Sequence, residues 1–270
     1  MSGINIRLAK LFKNKRNLVI SALDHVMGYG DQPGIENSYK EISNCMGKDA
    51  LLISRFMLKR NWELFVKDDS PIPVVRINWS SSFYYPLEYR KAYTTIATNV
   101  EDAVKAGGEA IICSLFLKNK DEETETYNIS IFSEVVRQKE KLGIPLIGEC
   151  YVVEHKEKTK DEVHLKVKRV SRVMSELGAD SIKTFYTGEK FNEIIDNTPV
   201  PVFTIGAEKL SNDLDVLIKA KVSIDAGARG IIFGRNIFMS KNPQNLIKAL
   251  NEVINDGAEP ENIYKKYNLG

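Results

Sequence analysis

Short apolar runs rich in β-branched residues recur along the chain, with helical patterns between them. Eight of these runs read as strands, at residues 18–23, 50–54, 74–78, 110–115, 146–150, 181–184, 202–205 and 230–233. Helical periodicity fills most of the gaps, over 37–45, 56–65, 100–106, 124–142, 160–177, 191–196, 212–226 and 242–254. Several strands are preceded by a glycine and a small or acidic residue: Gly47-Lys-Asp49, Gly107-Gly-Glu109, Gly178-Ala-Asp180 and Gly227-Ala-Arg229. Glycines there suit the left-handed position that closes a helix.

Eight strand-then-helix units without a linker rich in Pro, Gly or Ser predict an α/β fold of the (β/α)8 TIM-barrel type, one domain over residues 1–270. An open doubly wound sheet usually carries a glycine-rich fingerprint after its first strand. Here that strand runs into Ser21-Ala-Leu-Asp-His25, which has no such glycines. In a barrel, functional residues gather at the C-terminal strand ends. One stretch departs from the ideal: 79–95 is rich in aromatics and reads as a long loop or irregular segment, fit for a lid, a cover or a subunit contact.

Composition narrows the classes. The 270 residues are 43% hydrophobic and 27% charged, as in a globular protein with a substantial core. The 38 basic and 36 acidic residues are interleaved, so the net charge of +2 makes no nucleic-acid footprint. Cys45, Cys113 and Cys150 are widely spaced in apolar surroundings, the pattern of buried reduced thiols. The stretch from Met1 to Arg16 is basic but lacks the apolar core of a signal peptide, and no apolar run is long enough to cross a bilayer. The expectation is a soluble cytoplasmic protein with no membrane partner.

The strand ends carry the candidate chemistry. Strand one ends at Asp24-His25, strand five at Cys150-Tyr151 and strand six at Lys183. Burial can lower a lysine's pKa toward neutrality, and a neutral amine attacks ketones to form a Schiff base. A strand-end lysine can also reach solvent along its methylene stem. Asp24 also fits a helix N-cap and Tyr151 a core-edge aromatic. In a barrel the three ends converge on one mouth, which makes Lys183 the candidate nucleophile, Tyr151 the proton-transfer group and Asp24 the orienting carboxylate. Strand seven runs into Thr204-Ile-Gly-Ala-Glu-Lys209 and strand eight into Phe233-Gly-Arg-Asn-Ile-Phe238. Loops seven and eight of barrels often bind phosphate through backbone N–H groups. The phosphate and substrate candidates are therefore Gly206, Ala207, Lys209, Gly234 and Arg235, with ordinary tight turns as the other reading of the glycines.

Asp24-His25, the segment Gly178-Ala-Asp-Ser-Ile-Lys-Thr-Phe-Tyr-Thr-Gly188 and Phe233-Gly-Arg-Asn-Ile-Phe238 resemble the signatures of archaeal-type class I fructose-bisphosphate aldolases. These are a branch of the deoxyribose-phosphate aldolase superfamily, which also holds an aminodideoxyheptulosonate synthase and the phospho-autoinducer-2 thiolase. The resemblance runs from about Arg7 to the last barrel helix. It implies Lys183 as Schiff-base lysine, Asp24 and Tyr151 as its partners, and Gly206, Gly234 and Arg235 around a substrate phosphate. It also implies a ring-shaped homo-oligomer, a pentamer or decamer. The chain departs from the family pattern in three places. Val26 stands where relatives usually carry Gly, and Gly206-Ala207 replaces Gly-Gly. Tyr151-Val-Val-Glu154 replaces Tyr-Pro-Arg-Gly, so the arginine that could hold a second phosphate is missing.

The expected activity is metal-independent aldol chemistry on a phosphorylated ketose or dihydroxyacetone phosphate, with no cofactor. Within enzymology the alternatives are a lysine-dependent thiolase or acyl transferase and a heptulosonate-type synthase. Outside it stands a phosphosugar-binding sensor barrel. His25, His155 and His164 are the only histidines, and the chain has no metal-binding spacing, P-loop or Gly-x-Ser-x-Gly. His155 and His164 fall in the charged stretch 154–169, which reads as a solvated helix face.

Overall fold

The computed structural model describes residues 2–12, 17–30, 32–36, 38–81, 91–117, 121–152 and 158–270. Eight parallel strands close into a barrel: β1 (Leu18–Ala22), β2 (Ala50–Ser54), β3 (Ile72–Arg76), β4 (Ala110–Leu115), β5 (Leu146–Cys150), β6 (Ser181–Thr184), β7 (Val202–Ile205) and β8 (Gly230–Phe233). Their order around the ring follows the chain, and β1 pairs with β8 to close it. This is the (β/α)8 barrel that the alternation predicts.

Strand side chains alternate between the barrel interior and the surrounding helices. Outward residues such as Val19, Leu51, Ile53, Ile111 and Ile182 are buried under the helical layer. Inward residues such as Ile20, Leu52, Val74, Ile112, Ile147 and Phe203 form a second buried cluster. Burying each of these side chains contributes roughly 1.5–3 kcal/mol. The helix Ser2–Phe12 packs onto this inner cluster: Leu11 joins it, and Phe12 stacks on Phe203 with ring centroids 6.1 Å apart. Two residues further along the same strands the interior changes character. Arg76 follows Val74, Ser114 follows Ile112 and Glu149 follows Ile147, all buried. One half of the barrel is packed with hydrocarbon and the mouth is lined with charge.

Several local expectations are corrected. The stretch 56–65 is not one helix: Arg55–Arg60 is α-helical, capped by the Ser54 hydroxyl accepting from the Met57 N–H, and a 3-10 turn follows over Trp62–Phe65. The ends of the 79–95 segment are ordered as a short antiparallel pair, Asn78–Ser80 with Thr94–Ile96, and residues 82–90 lie outside the described residues. Helices Ser2–Phe12, His25–Tyr29, Arg235–Phe238 and Pro260–Lys266 add to the expected set. Gly107, Gly178 and Gly227 take φ of 97°, 114° and 100°, the left-handed closure expected of them. Gly47 does not have a positive φ. A Cβ there would stand 3.2 Å from Ile247 Cγ2, so packing rather than backbone handedness favours glycine. Cys45, Cys113 and Cys150 are all buried free thiols, and burial pushes each up to about 12.

The acidic residues ahead of β2 and β6 have a structural use. Asp49 accepts from the Val19 N–H at 2.9 Å, and Asp180 accepts from the Leu146 N–H at 2.7 Å. Each ties the start of one strand to its neighbour. Asp180 also receives Lys139 Nζ at 2.9 Å, a lysine that is only 2% exposed. Lys139 Nζ also meets Glu140 Oε1 at 2.9 Å, so without Asp180 it keeps one carboxylate while the Leu146 N–H loses its acceptor. Asp180→Ala is expected to lower unfolding free energy by about 2 kcal/mol, the cost of leaving a buried donor unsatisfied, read from the urea midpoint at unchanged slope.

Candidate active site

The barrel mouth holds about 640 Å³ of space, part of it open to solvent. Its lining brings together Asp24, Tyr151 and Lys183 from the sequence-predicted set, with Gly206, Ala207, Gly234 and Arg235 across from them. It also includes Arg76, Glu149 and Tyr29, which sequence reasoning did not single out. Lys209 is not among the lining residues and pairs with Asp213 at 3.4 Å. The reading of His164 is corrected. The residue is buried, not solvated, with Nδ1 2.9 Å from the Thr187 hydroxyl, and His155 lies outside the described residues.

Lys183 is a β6 residue whose register partner on β5 is Glu149. Its Nζ lies 2.5 Å from Glu149 Oε1, and both residues are about 5% exposed, at 6% and 5%. Burial alone therefore does not describe this nitrogen, because a carboxylate faces it directly. The other carboxylate oxygen, Glu149 Oε2, accepts from Arg76 Nη1 at 2.7 Å and from the Ser114 hydroxyl. Arg76 in turn donates through Nε to Asp24 Oδ2 at 2.7 Å, with Nη2 at the same distance. One guanidinium thus holds two carboxylates, one from β5 and one from the end of β1. Asp24 does stand at the N-cap position of helix His25–Tyr29, but its side chain makes no cap hydrogen bond and goes to Arg76 instead.

These four charges set the electrostatics of the mouth. Burial pushes the Asp24 carboxyl up, yet the Arg76 guanidinium, then the Lys183 ammonium and His25, outweigh it and hold it below its ordinary value. Burial acts the same way on Glu149, and Arg76 and Lys183 pull it far below the usual carboxylate range. Both carboxylates stay ionised at neutral pH. Burial lowers His25 to about 4 despite the neighbouring Asp24, so His25 is neutral there. Burial raises the phenols of Tyr29 and Tyr151, which keeps both protonated. Tyr151 is braced by Phe185, with ring centroids 5.0 Å apart.

Across the mouth, loop seven is clamped from behind. The fully buried Asn236 donates to the carbonyls of Gly206 and Glu208, each at 3.1 Å, and accepts from the Leu210 N–H at 2.8 Å. Lys219 Nζ donates to the same Gly206 carbonyl at 2.8 Å, and burial lowers this ammonium to about 8. The two glycines of this face are required by packing inside the protein. A Cβ on Gly206 would stand 2.8 Å from Asn236 Nδ2, and one on Gly234 would stand 2.2 Å from His25 Cε1 and 2.8 Å from the Ala22 carbonyl. Ala207 takes φ 57°, a left-handed conformation that costs a non-glycine residue roughly 1–2 kcal/mol. Arg235 Nε is buried without a hydrogen-bond partner among the described residues.

Arg76 and Glu149 had a readable signal. Each is a charge set inside an apolar strand, and Glu149 is two residues before Tyr151, which places both on one face. Among the described residues no cluster of three or more His, Cys, Asp or Glu could hold a metal ion, and no helix is long and apolar enough to cross a membrane.

A closed parallel barrel with a buried lysine among carboxylates at its C-terminal mouth has the architecture of the class I aldolases. A model of the DeoC/LacD family aldolases matches residues 72–240, and the chain belongs to that family. It is 34% identical over 265 residues to an uncharacterised aldolase of Saccharolobus solfataricus, covering 96% of this chain and 97% of that one. It is 29% identical to the 3-hydroxy-5-phosphonooxypentane-2,4-dione thiolase of Yersinia enterocolitica, over 98% of this chain and 87% of the relative. A solved Schiff-base-forming fructose-1,6-bisphosphate aldolase shares the fold, with a TM-score of 0.79 at 22% identity, over 93% of this chain and 99% of that one.

The buried charges make stability depend on acid. In the unfolded chain His25 takes up its proton near pH 6.5, and in the folded chain only near 4. Between those values the unfolded state binds more protons, so stability falls as the pH falls. Asp24 and Glu149 act in the same direction further down. Their contribution is complete above the ordinary carboxylate range and is lost as the pH falls through it toward their depressed folded values. Unfolding free energy measured from pH 6.5 to 4 is expected to decline, and His25→Gln to decline less steeply. Parallel curves would remove His25 from this account.

Proposed function

We propose that this chain is a class I aldolase that condenses Lys183 with the carbonyl of a singly phosphorylated ketone. The substrate is dihydroxyacetone phosphate or its six- or seven-carbon aldol, and the chemistry is metal-independent. The observation that carries this reading is the Lys183 nitrogen, buried at the barrel mouth among Glu149, Asp24 and Tyr151. Covalent attachment turns the substrate carbonyl into an iminium, an electron sink that lets the neighbouring C–C bond break or an enamine form. Tyr151, protonated at neutral pH, is the proton-transfer group. Asp24, held ionised by Arg76, is the acceptor for a substrate hydroxyl.

One phosphate fits the charge inventory better than two. Among the described lining residues the cations are Arg76, Lys183 and Arg235, and the first two already face carboxylates. Arg235 with its unpartnered Nε remains to meet an oxyanion beside Gly206 and Gly234. The family resemblance extends the proposal to a cytoplasmic ring-shaped homo-oligomer, which sedimentation would size.

A second reading is acyl transfer from a phosphorylated diketone, favoured by the likeness to the Yersinia thiolase along nearly the whole chain. Transfer of an acyl group to an added thiol, without aldol cleavage, would select it. Phosphosugar binding with no covalent adduct would select a sensor barrel.

Borohydride reduction in the presence of dihydroxyacetone phosphate is expected to leave a mass adduct on Lys183, and Lys183→Ala to abolish it. Peptide mapping that finds the adduct on another lysine would overturn the assignment.

A further inference from the structure

We propose that Lys219 is a positioning residue of the mouth. From behind loop seven it fixes the Gly206–Ala207 peptide and supplies the positive charge that makes the Ala207 N–H a donor to a phosphate monoester. This rests on the phosphorylated-ketone reading above and adds to it a residue of the outer helices that does not line the mouth.

Lys219 lies in the middle of helix Asp213–Asp225, and its Nζ donates to the Gly206 carbonyl at 2.8 Å. The same carbonyl accepts from Asn236 Nδ2 at 3.1 Å. The Gly206 C=O and the Ala207 N–H belong to one planar trans peptide and point in opposite directions. A carbonyl held from the helix side therefore aims the N–H the other way, into the mouth that Gly206 and Ala207 both line. The Ala207 N–H has no backbone hydrogen-bond acceptor among the described residues. Ala207 is at φ 57°, and a non-glycine residue persists there only where its surroundings fix it.

The charge of Lys219 separates it from an ordinary brace. Other lysines held inside this fold meet carboxylates: Lys139 faces Asp180 and Glu140, and Lys183 faces Glu149. Lys219 meets a carbonyl instead. Its loss of water lowers the ammonium to about 8, and no acid offsets that cost. Asn236 already gives the Gly206 carbonyl a donor, so what the lysine adds is charge. A desolvated charge is unfavourable unless an opposite charge meets it. The opposite charge that fits is an oxyanion on the mouth side of the peptide, beside Gly234 and the unpartnered Nε of Arg235. A cation donating to one end of a peptide polarises it and strengthens the N–H at the other end. Lys219 thus reaches the anion through the peptide, away from bulk water that would screen it.

The test is borohydride trapping on Lys183 at increasing dihydroxyacetone phosphate, and separately at increasing dihydroxyacetone, which has no phosphate. Lys219→Met is expected to need about tenfold more dihydroxyacetone phosphate for half-maximal labelling, the loss of one charge-assisted contact, with the maximal rate kept. Its labelling by dihydroxyacetone is expected to match the native chain. Lys219→Arg, which keeps the charge, is expected to recover part of the affinity. A merely structural role would weaken labelling by both compounds alike, and that result overturns the proposal, as does native half-saturation in Lys219→Met. If Lys219→Met does not fold, Lys219→Gln decides. Weaker dihydroxyacetone phosphate with unchanged dihydroxyacetone supports the role, and any other pattern overturns it. An unlabelled Lys183 in the native chain removes the aldolase reading alone. Protection against thermal unfolding by inorganic phosphate then tests Lys219 by itself. A need for about tenfold more phosphate in Lys219→Met supports the role, and equal protection overturns it.

Discussion

The mouth of this barrel depends on a single guanidinium. Arg76 sits in an apolar strand with its charge inside the barrel, and it faces two carboxylates from different strands. Burying a charge is costly unless it is paired and hydrogen-bonded, and a planar fork of donors suits two carboxylates at once. Without it, Asp24 and Glu149 would be two buried acids in one pocket with Lys183 as the main remaining counter-charge, and each would be easier to protonate. With it, both remain ionised, and the oxygen of Glu149 not claimed by Arg76 is free to face Lys183.

The fold makes this affordable by dividing the barrel along its axis. Hydrocarbon fills the half nearest the N-terminal helix, where Leu11 and Phe12 join the inner cluster. That packed layer holds the strands in register, and register is what sets Glu149 beside Lys183. Across the mouth, Asn236 and Lys219 hold the Gly206 carbonyl from behind, and His25 fills the space that a side chain on Gly234 would need. The loops of strands seven and eight are therefore one braced surface.

The lysine at the centre is handled by a counter-ion. A lone amine in a dry pocket is made nucleophilic by the cost of its charge. Here Glu149 Oε1 stands 2.5 Å from Lys183 Nζ, so the nitrogen meets a carboxylate inside the barrel. The lining holds Arg76 and Lys183 against two carboxylates, and the Nε of Arg235 is buried without a hydrogen-bond partner among the described residues.

Periodicity along the chain was enough to determine the barrel. Strand and helix signals depend on near neighbours, and eight of each leave few other ways to bury a parallel sheet. Lys183, Tyr151 and Asp24 were legible because barrel strands end at one mouth, and Gly206, Gly234 and Arg235 because loops seven and eight lie together. Tertiary structure decided the pairing. Arg76 and Glu149 are far apart in sequence, and only strand register brings them to one another and to Lys183. It also moved Lys209 to Asp213 and buried His164 against Thr187, because a helix pattern shows which residues share a face but not which face is covered.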